Sequence, residues 1–573
     1  MDSDDARQTG SPTCQLSGTV RFSHRGRRVQ VWRKPGAHVR RFGTVDAVEE
    51  TADRQRPLRK GGRMERELKL QVGLEHVGRI LEAQVLADCK DDDLPETLLT
   101  STYYDTPDLS FRQCGASLRV RSQGDRTVQT IKLDGSAKAG LFERDELETT
   151  VERDAPDLTL FYDAIPSNSD LGKLIRDEAN VTHLGAIFVT RIRRTIVPLN
   201  LQSGEEIEFA IDEGDIEAET GSTSIAGVEI ELKQGKPGRL HEIALNLLDT
   251  VPLRFDYMSK ADRGYELLVQ KHETAVKARP VALRKRDSVE DAFCQIARNC
   301  LDQVHANERG VVSGHDPSSV HQMRVGLRRL RSALDLFEKV IPAYPGLQDE
   351  LRWIASELGD SRDWEVLTRL TLEPAFAETD HEEERGTVEG ACARITTEKR
   401  SQAAAAVDSV RYTRLMLQLT EWLDGKGWRD GLSSKERETV QKRMKPFASE
   451  IERRRHSKLL KRGKRLADLD DRRRHRARIA AKKLRYASEF FASLFPNSAV
   501  RHYVQALSEL QDDLGWRNDV VVADRLLGSL PRTHPDTAAG AAFARGYWAS
   551  RVAADHDAMK KLWKRFRSLS PPQ

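Results

Sequence analysis

The chain has 573 residues, 38% hydrophobic and 32% charged, with a formal net charge of only +4. That length suits roughly two to four domains, each with a sizeable core. No apolar run approaches the ~18 residues of a membrane span, and no N-terminal stretch has signal-peptide form.

Residues 1–63 are rich in Arg, Gly, Ser and Asp, lack periodicity and read as disordered. Met64 stands immediately before the first strand-like segment. Translation starting there is one expectation, and a genuine basic tail is the other.

From Met64 to about Gln270 the pattern is mostly that of strands. Glu65-Arg66-Glu67-Leu68-Lys69 and Glu229-Ile230-Glu231-Leu232-Lys233 share one motif, E-x-E-x-K. Alternate residues of a strand share a face, so each segment lines up two carboxylates and an ammonium opposite an apolar side. Four carboxylates around one space need positive charge among them. A divalent cation is the simplest candidate, because hard metals prefer carboxylate oxygen. Intervening segments carry the complement: Arg119 and Arg121 on one face, Lys132 on another strand, and Arg191 and Arg193 on a third. Arg144-Asp145-Glu146-Leu147-Glu148 returns to carboxylates. Alternating cationic and anionic strands suit a phosphate chain that chelates magnesium, since guanidinium forks bind phosphate oxygens bidentately. Val77–Val85 and Leu240–Leu248 have helical spacing. The sum predicts an antiparallel sheet of roughly eight strands, closed into a barrel with polar faces inward.

Together with Tyr103-Tyr104-Asp105-Thr106 and Ser259-Lys260-Ala261-Asp262-Arg263-Gly264-Tyr265, these ordered motifs resemble the CYTH superfamily. Its members include inorganic triphosphatases, thiamine triphosphatases and class IV adenylyl cyclases. The resemblance implies an eight-stranded tunnel that holds a triphosphate and Mg²⁺ or Mn²⁺. Carried over by position, Glu65, Glu67, Glu229, Glu231 and Asp212 would hold metal, with Glu146 and Glu148 as secondary acidic positions. Lys69, Arg119, Arg121, Lys132, Arg191, Arg193 and Lys260 would grip phosphate oxygens, with Lys69 and Arg191 at the reacting centre. Family triphosphatases often have K-x-R where this chain has Arg191-Ile192-Arg193. Arginine is a poor proton acceptor, so the general base stays open, as does activation of water by the metal.

From about Asp287 the period becomes helical over Val289–Val304, Val320–Val340, Leu351–Leu370 and Ile479–Leu494. This half also repeats. His321, Arg324, Arg328 and Arg331 align without a gap to His475, Arg478, Lys482 and Arg485. Each set recurs at i, i+3, i+7 and i+10, which is one helix face. Leu358-Gly359-Asp360-Ser361-Arg362-Asp363 and Leu514-Gly515-Trp516-Arg517-Asn518-Asp519 follow the two sets. Two helical halves of one design predict a pseudo-two-fold, all-α bundle. Stacked like charges repel, so a bound polyanion is their natural partner.

The repeats resemble the CHAD domain, a helical module often fused to CYTH and associated with inorganic polyphosphate. Residues 441–485 hold 19 Lys/Arg against 5 Asp/Glu. They are also a candidate for non-specific nucleic-acid binding, although nothing supplies base readout. Six cysteines without C-x-x-C pairs or framework spacing fit a reducing cytoplasm.

The expectation is therefore an α+β, multidomain protein. An N-terminal extension (1–63) precedes a barrel (64–270), a linker (271–286) and a helical domain (287–570). The barrel would hydrolyse inorganic triphosphate or short polyphosphate, and the helical domain would bind long polyphosphate. A non-catalytic polyphosphate scaffold and an adenylyl cyclase remain the alternatives.

Overall fold

Period-two alternation builds the N-terminal half. The computed structural model describes residues 63–89, 94–123, 126–134, 136–138, 141–269, 273–314, 316–377, 380–554 and 556–572, and a strand pair at Ser23–His24 and Arg27–Arg28. Apart from that strand pair, the expected disorder before residue 63 lies outside these residues, and Met64 is the second residue of the first long strand.

Strands β1 (Arg63–Val72), β2 (Glu96–Asp105), β3 (Ala116–Gln123), β4 (Arg126–Leu133) and β5 (Ser136–Lys138) share one antiparallel sheet with five more. These are β6 (Leu141–Val151), β7 (Gly185–Asn200), β8 (Glu206–Ala218), β9 (Gly221–Gln234) and β10 (Leu253–Phe255). The hydrogen-bonded order is β10-β1-β9-β8-β7-β2-β3-β4-β6-β5, with a further pairing of β1 to β6. In β1, residues 63–68 pair with β6 and residues 67–71 pair with β9. The expected eight strands are corrected to ten, two of them short, and the β1–β6 pairing joins the two ends of the run of eight longer ones. β5 folds back on β6 as a hairpin, and β10 takes the place beside β1 that β6 vacates after Leu68.

The alternation sorts the two faces. Leu68, Leu70, Val197, Leu199, Phe209, Ile211, Val228 and Ile230 are buried on the outer face. They pack with Leu240, Ile243 and Leu247 of α1 (Gly238–Leu248). The expected helix over Val77–Val85 appears as two 3₁₀ segments, Leu74–Glu82 and Gln84–Cys89. α2 (Lys260–Leu268) starts in a capping box made by Ser259 and Asp262. It seals one end of the inner face with an apolar plug of Tyr103, Phe188, Ile216, Ala261 and Tyr265. Gly264 is needed there, because a Cβ would sit 2.2 Å from the Phe188 ring.

The C-terminal half is helical, as its period predicts. Its longer helices are α3 (Val289–His305), α4 (Pro317–Phe337), α5 (Leu347–Val366), α6 (Glu382–Val407) and α7 (Val410–Asp424). They continue with α8 (Met444–Arg462), α9 (Asp471–Phe490), α10 (Asn497–Ser529), α11 (Ala538–Ala554) and α12 (His556–Arg567). The two histidine-bearing segments occupy α4 and α9. No helix among the described residues is long and apolar enough to cross a membrane. Cys114, Cys294, Cys300 and Cys392 are free thiols.

The two halves share one core. The cluster that begins on the outer sheet face continues through Phe293, Leu327, Leu415 and Trp422. The expected linker belongs to it, since Val281 and Leu283 are buried. Asn307 clamps the backbone of Val276 through two hydrogen bonds of 2.9 Å. A buried polar chain crosses the junction as well. Tyr257 meets His305 Nδ1 at 2.7 Å, His305 meets Glu308 at 2.7 Å, and Tyr412 donates to Glu308.

One buried carboxyl yields a stability prediction. Glu452 of α8 accepts a hydrogen bond from Ser488 of α9 at 3.1 Å, while its Oε1 has no partner. Burial pushes its pKa up to about 8, against the hydrogen bond from Ser488, which lowers it. Such a group takes up a proton on folding between its ordinary value of 4.5 and about 8. Its stabilising contribution is complete below the lower value and is lost as pH rises through the upper one. Glu452→Gln, already neutral, is expected to gain stability over the natural protein on the order of 1–3 kcal/mol near pH 8, and little near pH 4. Denaturant melts at the two pH values measure the difference, and equal gains at both would refute the protonation account.

Candidate functional site

The inner face of the sheet gathers the charged motifs. β1 and β9, the two E-x-E-x-K strands, are neighbours, and their register sets Glu67 opposite Glu231 and Lys69 opposite Glu229. Lys69 Nζ lies 2.8 Å from Glu67 and 2.6 Å from Glu229. Lys260, delivered by the first turn of α2, lies 2.6 Å from Asp212 and 2.7 Å from Glu229. Arg194 grips Asp212 with both arms, at 2.7 and 2.6 Å, and also meets Glu229. Burial raises the Glu229 pKa, but Lys260, Lys69 and Arg194 outweigh it and hold the carboxyl well below its usual range. Asp212 is likewise lowered: burial opposes ionisation, whereas Lys260 and Arg194 favour it.

Further round the sheet, Glu146 receives Arg119 at 3.3 Å and Lys132 at 3.0 Å. Glu148 sits opposite Thr130, beside Arg119. Lys233 spans Glu231 at 2.6 Å and Glu208 at 3.2 Å. Arg121 differs from its neighbours. Its Nε donates to Ser101 at 3.0 Å, and no carboxylate among the described residues lies within ion-pair distance. Burial, then Arg119 beside it, lowers its pKa to about 10. A half-buried guanidinium without a counter-ion is a seat for an anion.

Two expected site residues are corrected. Arg191 and Arg193 are on the outer face, with side chains 48% and 53% exposed, and pair with Glu217 and Glu213. They share the parity of Val197 and Leu199, which pack outward under the helices. The arginine that faces inward is Arg194, 15% exposed, which the motif alignment passed over. Arg191 therefore stands apart from the inner-face cluster of Lys69, Asp212 and Glu229. Glu65 lies in β1, but its side chain is outside the described residues.

The acidic side chains fit a hard divalent cation in kind, since all are carboxylate oxygens. The directly opposed pair Glu67–Glu231 is also the place where like charges most need one. No group of three ligating side chains converges among the described residues.

A second cluster forms in the helical half, where the two stripes converge. Arg324 and Arg328 of α4 act electrostatically on Lys482 of α9, Arg328 acts on Arg478, and Lys482 acts in turn on His321 of α4. Arg328 Nε donates to Tyr486 of α9 at 2.8 Å. Burial and then the crowded cations Arg328, Arg478 and Arg324 lower Lys482 to about 7. Burial, then Arg362, Arg328, Arg324 and Lys482, lower His321 to about 4. Three stripe members stand at the edge. Arg331 is beside Arg352, Arg485 pairs with Glu489 at 2.9 Å, and His475 meets Asn518 at 3.1 Å. The sequence reading left out Arg362, Asp363 and Asp519 as site residues. They come from the two L-G motifs on α5 and α10 and border the cluster. Gly359 in the first motif makes room for the Arg324 guanidinium, 2.6 Å from where a Cβ would be.

Known proteins share both halves. Residues 63–265 match the CYTH domain, and residues 295–528 match the CHAD domain. An inorganic triphosphatase of Haemophilus influenzae is 31% identical over 170 residues, 30% of this chain and 46% of that protein. The chain thus spans about half the length of that relative. The crystal structure of a CHAD domain from the plant Ricinus communis is 40% identical, covering 52% of this chain and 99% of that one, with a TM-score of 0.47. A Hippeastrum protein described as an adenylyl cyclase with a dominant triphosphatase activity is 17% identical, covering 36% of this chain and 97% of that one, with a TM-score of 0.26.

Proposed function

We propose that this chain, which joins a CYTH domain to a CHAD domain, hydrolyses inorganic triphosphate on its sheet and binds long polyphosphate on its helices. The observation that carries the reading is Arg121, half-buried on the inner face beside Arg119 with no carboxylate partner among the described residues. Arg119, Arg121, Lys132, Arg194 and Lys260 would hold the phosphate oxygens and neutralise charge as the bridging bond lengthens. Their present carboxylate partners, Glu146, Asp212 and Glu229, would exchange cation for ligand as the substrate enters. Glu67 and Glu231, with Glu65, would hold Mg²⁺ or Mn²⁺. The metal when bound would neutralise phosphate charge and lower the pKa of the attacking water. Lys69, bridging Glu67 and Glu229, would position those carboxylates between metal and phosphate.

The test is phosphate release from tripolyphosphate, thiamine triphosphate, ATP and long polyphosphate, with cyclic AMP followed in the ATP reaction. Fast release from tripolyphosphate without cyclic AMP is expected. No turnover of any substrate would leave a binding scaffold, and cyclic AMP would mark a cyclase. The corrected orientation of β7 supplies a sharper comparison. Arg194→Met is expected to lower tripolyphosphate turnover by about tenfold or more, while Arg191→Met stays within about twofold. The reverse order would return Arg191 to the site.

A further inference from the structure

The basic segment of α8 is not used by either site described above. Arg455, Lys458 and Arg462 recur at i, i+3 and i+7, which is one face of α8. Arg476 and Lys483 of α9 stand across from them, with Ile479 and Ala480 between. These seven residues line a cavity of 270 Å³. On α9 this face is turned by roughly a third of a revolution from the stripe of His475, Arg478, Lys482 and Arg485.

The cavity is built, not merely charged. The Arg455 side chain is only 7% exposed, and its Nε has no partner. Asp335 of α4 is the carboxylate that reaches the group, meeting Lys483 at 2.9 Å and pairing with Arg455. Arg462 spends one donor on the carbonyl of Arg476 at 3.3 Å. Glu452, one turn before Arg455, is directed to Ser488 at 3.1 Å and does not line the cavity. Among the described residues, five cations against one carboxylate therefore surround the space. A solvated charged face would have no reason to bury a guanidinium with a donor left over. No aromatic side chain lines the cavity to stack a base, so it suits an ion better than a strand of RNA.

We propose that this cavity is a separate binding site for a compact phosphate anion, orthophosphate or pyrophosphate, seated on Arg455 and closed by Lys458, Arg462 and Lys483. Guanidinium forks at the floor and mobile ammonium groups at the rim match tetrahedral, multiply charged oxygen anions. The site stands apart from catalysis on the sheet, and it does not require that the chain be a triphosphatase.

Calorimetric titration of the full chain with pyrophosphate, and separately with orthophosphate, tests it. A background of Arg121→Met weakens the sheet site, so that its contribution separates from that of the cavity. One binding event is expected to remain there and to weaken by about tenfold or more in Lys458→Glu/Arg462→Glu. Lys458 is exposed and Arg462 half-buried, and neither is in a core, so the circular dichroism spectrum should not change. Reversal of Arg324, Arg328, Arg478 and Lys482 should leave the event in place. Competition distinguishes the source of the anion: pyrophosphate that does not displace long polyphosphate from the stripes is bound as a free ion, and displacement marks a chain end. The assignment is overturned if no event remains in the Arg121→Met background. It is equally overturned if reversing the exposed Lys173 and Lys435 weakens the event as much as reversing Lys458 and Arg462.

Discussion

Glu67→Gln and Glu231→Gln are each expected to lower turnover of tripolyphosphate by ~10²-fold or more, the usual scale for losing a group that stabilises transition-state charge. The two carboxylates are direct partners in the β1–β9 ladder. Glutamine keeps the shape and one acceptor oxygen, so the hydrogen bond from Lys69 to position 67 can persist. What disappears is the charge that would hold a divalent cation. The fold should survive, because like charges directly opposed across a ladder destabilise it. In chelator, either variant should melt at or above the temperature of the natural protein. Added Mg²⁺ should narrow that gap by stabilising only the natural protein. Phosphate release at saturating metal measures the first effect, and melts with and without chelator measure the second. Near-natural rates in both variants would remove Glu67 and Glu231 from the metal.

Reversing Arg324, Arg328, Arg478 and Lys482 to glutamate is expected to abolish binding of long polyphosphate while tripolyphosphate turnover continues. These four stand where the stripes meet, and burial together with mutual repulsion already disfavours the charge on Arg324 and Lys482. A bound polyanion relieves that repulsion, so the free energy of binding concentrates there. The salt dependence should flatten too, because each lost phosphate contact removes counterion release. The control reverses four exposed cations elsewhere, Lys173, Lys435, Lys442 and Arg501. Methionine at the same four stripe positions guards against misfolding, and should weaken binding without introducing repulsion. Equal losses in control and stripe variants would mean that net charge alone drives binding.

Much of the sheet site was legible because period two leaves little freedom. The repeated E-x-E-x-K fixed which carboxylates share a face, and the two strands pair as neighbours. Arg191-Ile192-Arg193-Arg194 was misread because three arginines make both parities look basic. The deciding signal lay downstream: Val197 and Leu199 are apolar, so odd positions face the helices and Arg194 faces inward. β5 and β10 escaped because three residues are too short to show alternation. In the helical half, the i, i+3, i+7 spacing displayed the stripes, but a single helix cannot say which of its turns meets a partner. That is why Arg331 and Arg485 fall at the edge while Arg362, from another helix, borders the cluster and acts on His321. The segment 271–286 looked like a tether because it has neither period, yet Val281 and Leu283 anchor it by burial alone.

That anchoring has a consequence for how a polymer would experience the molecule. A slack tether lets two sites search for a shared ligand, and local concentration then falls smoothly with tether length. Here the junction is packed, so the separation of the two sites is fixed and the ligand alone must supply the reach. Phosphate chains shorter than that separation would act as independent, monovalent ligands. Chains just long enough to bridge it would gain avidity abruptly, and on the proposed function the protein would then act as a ruler for polymer length.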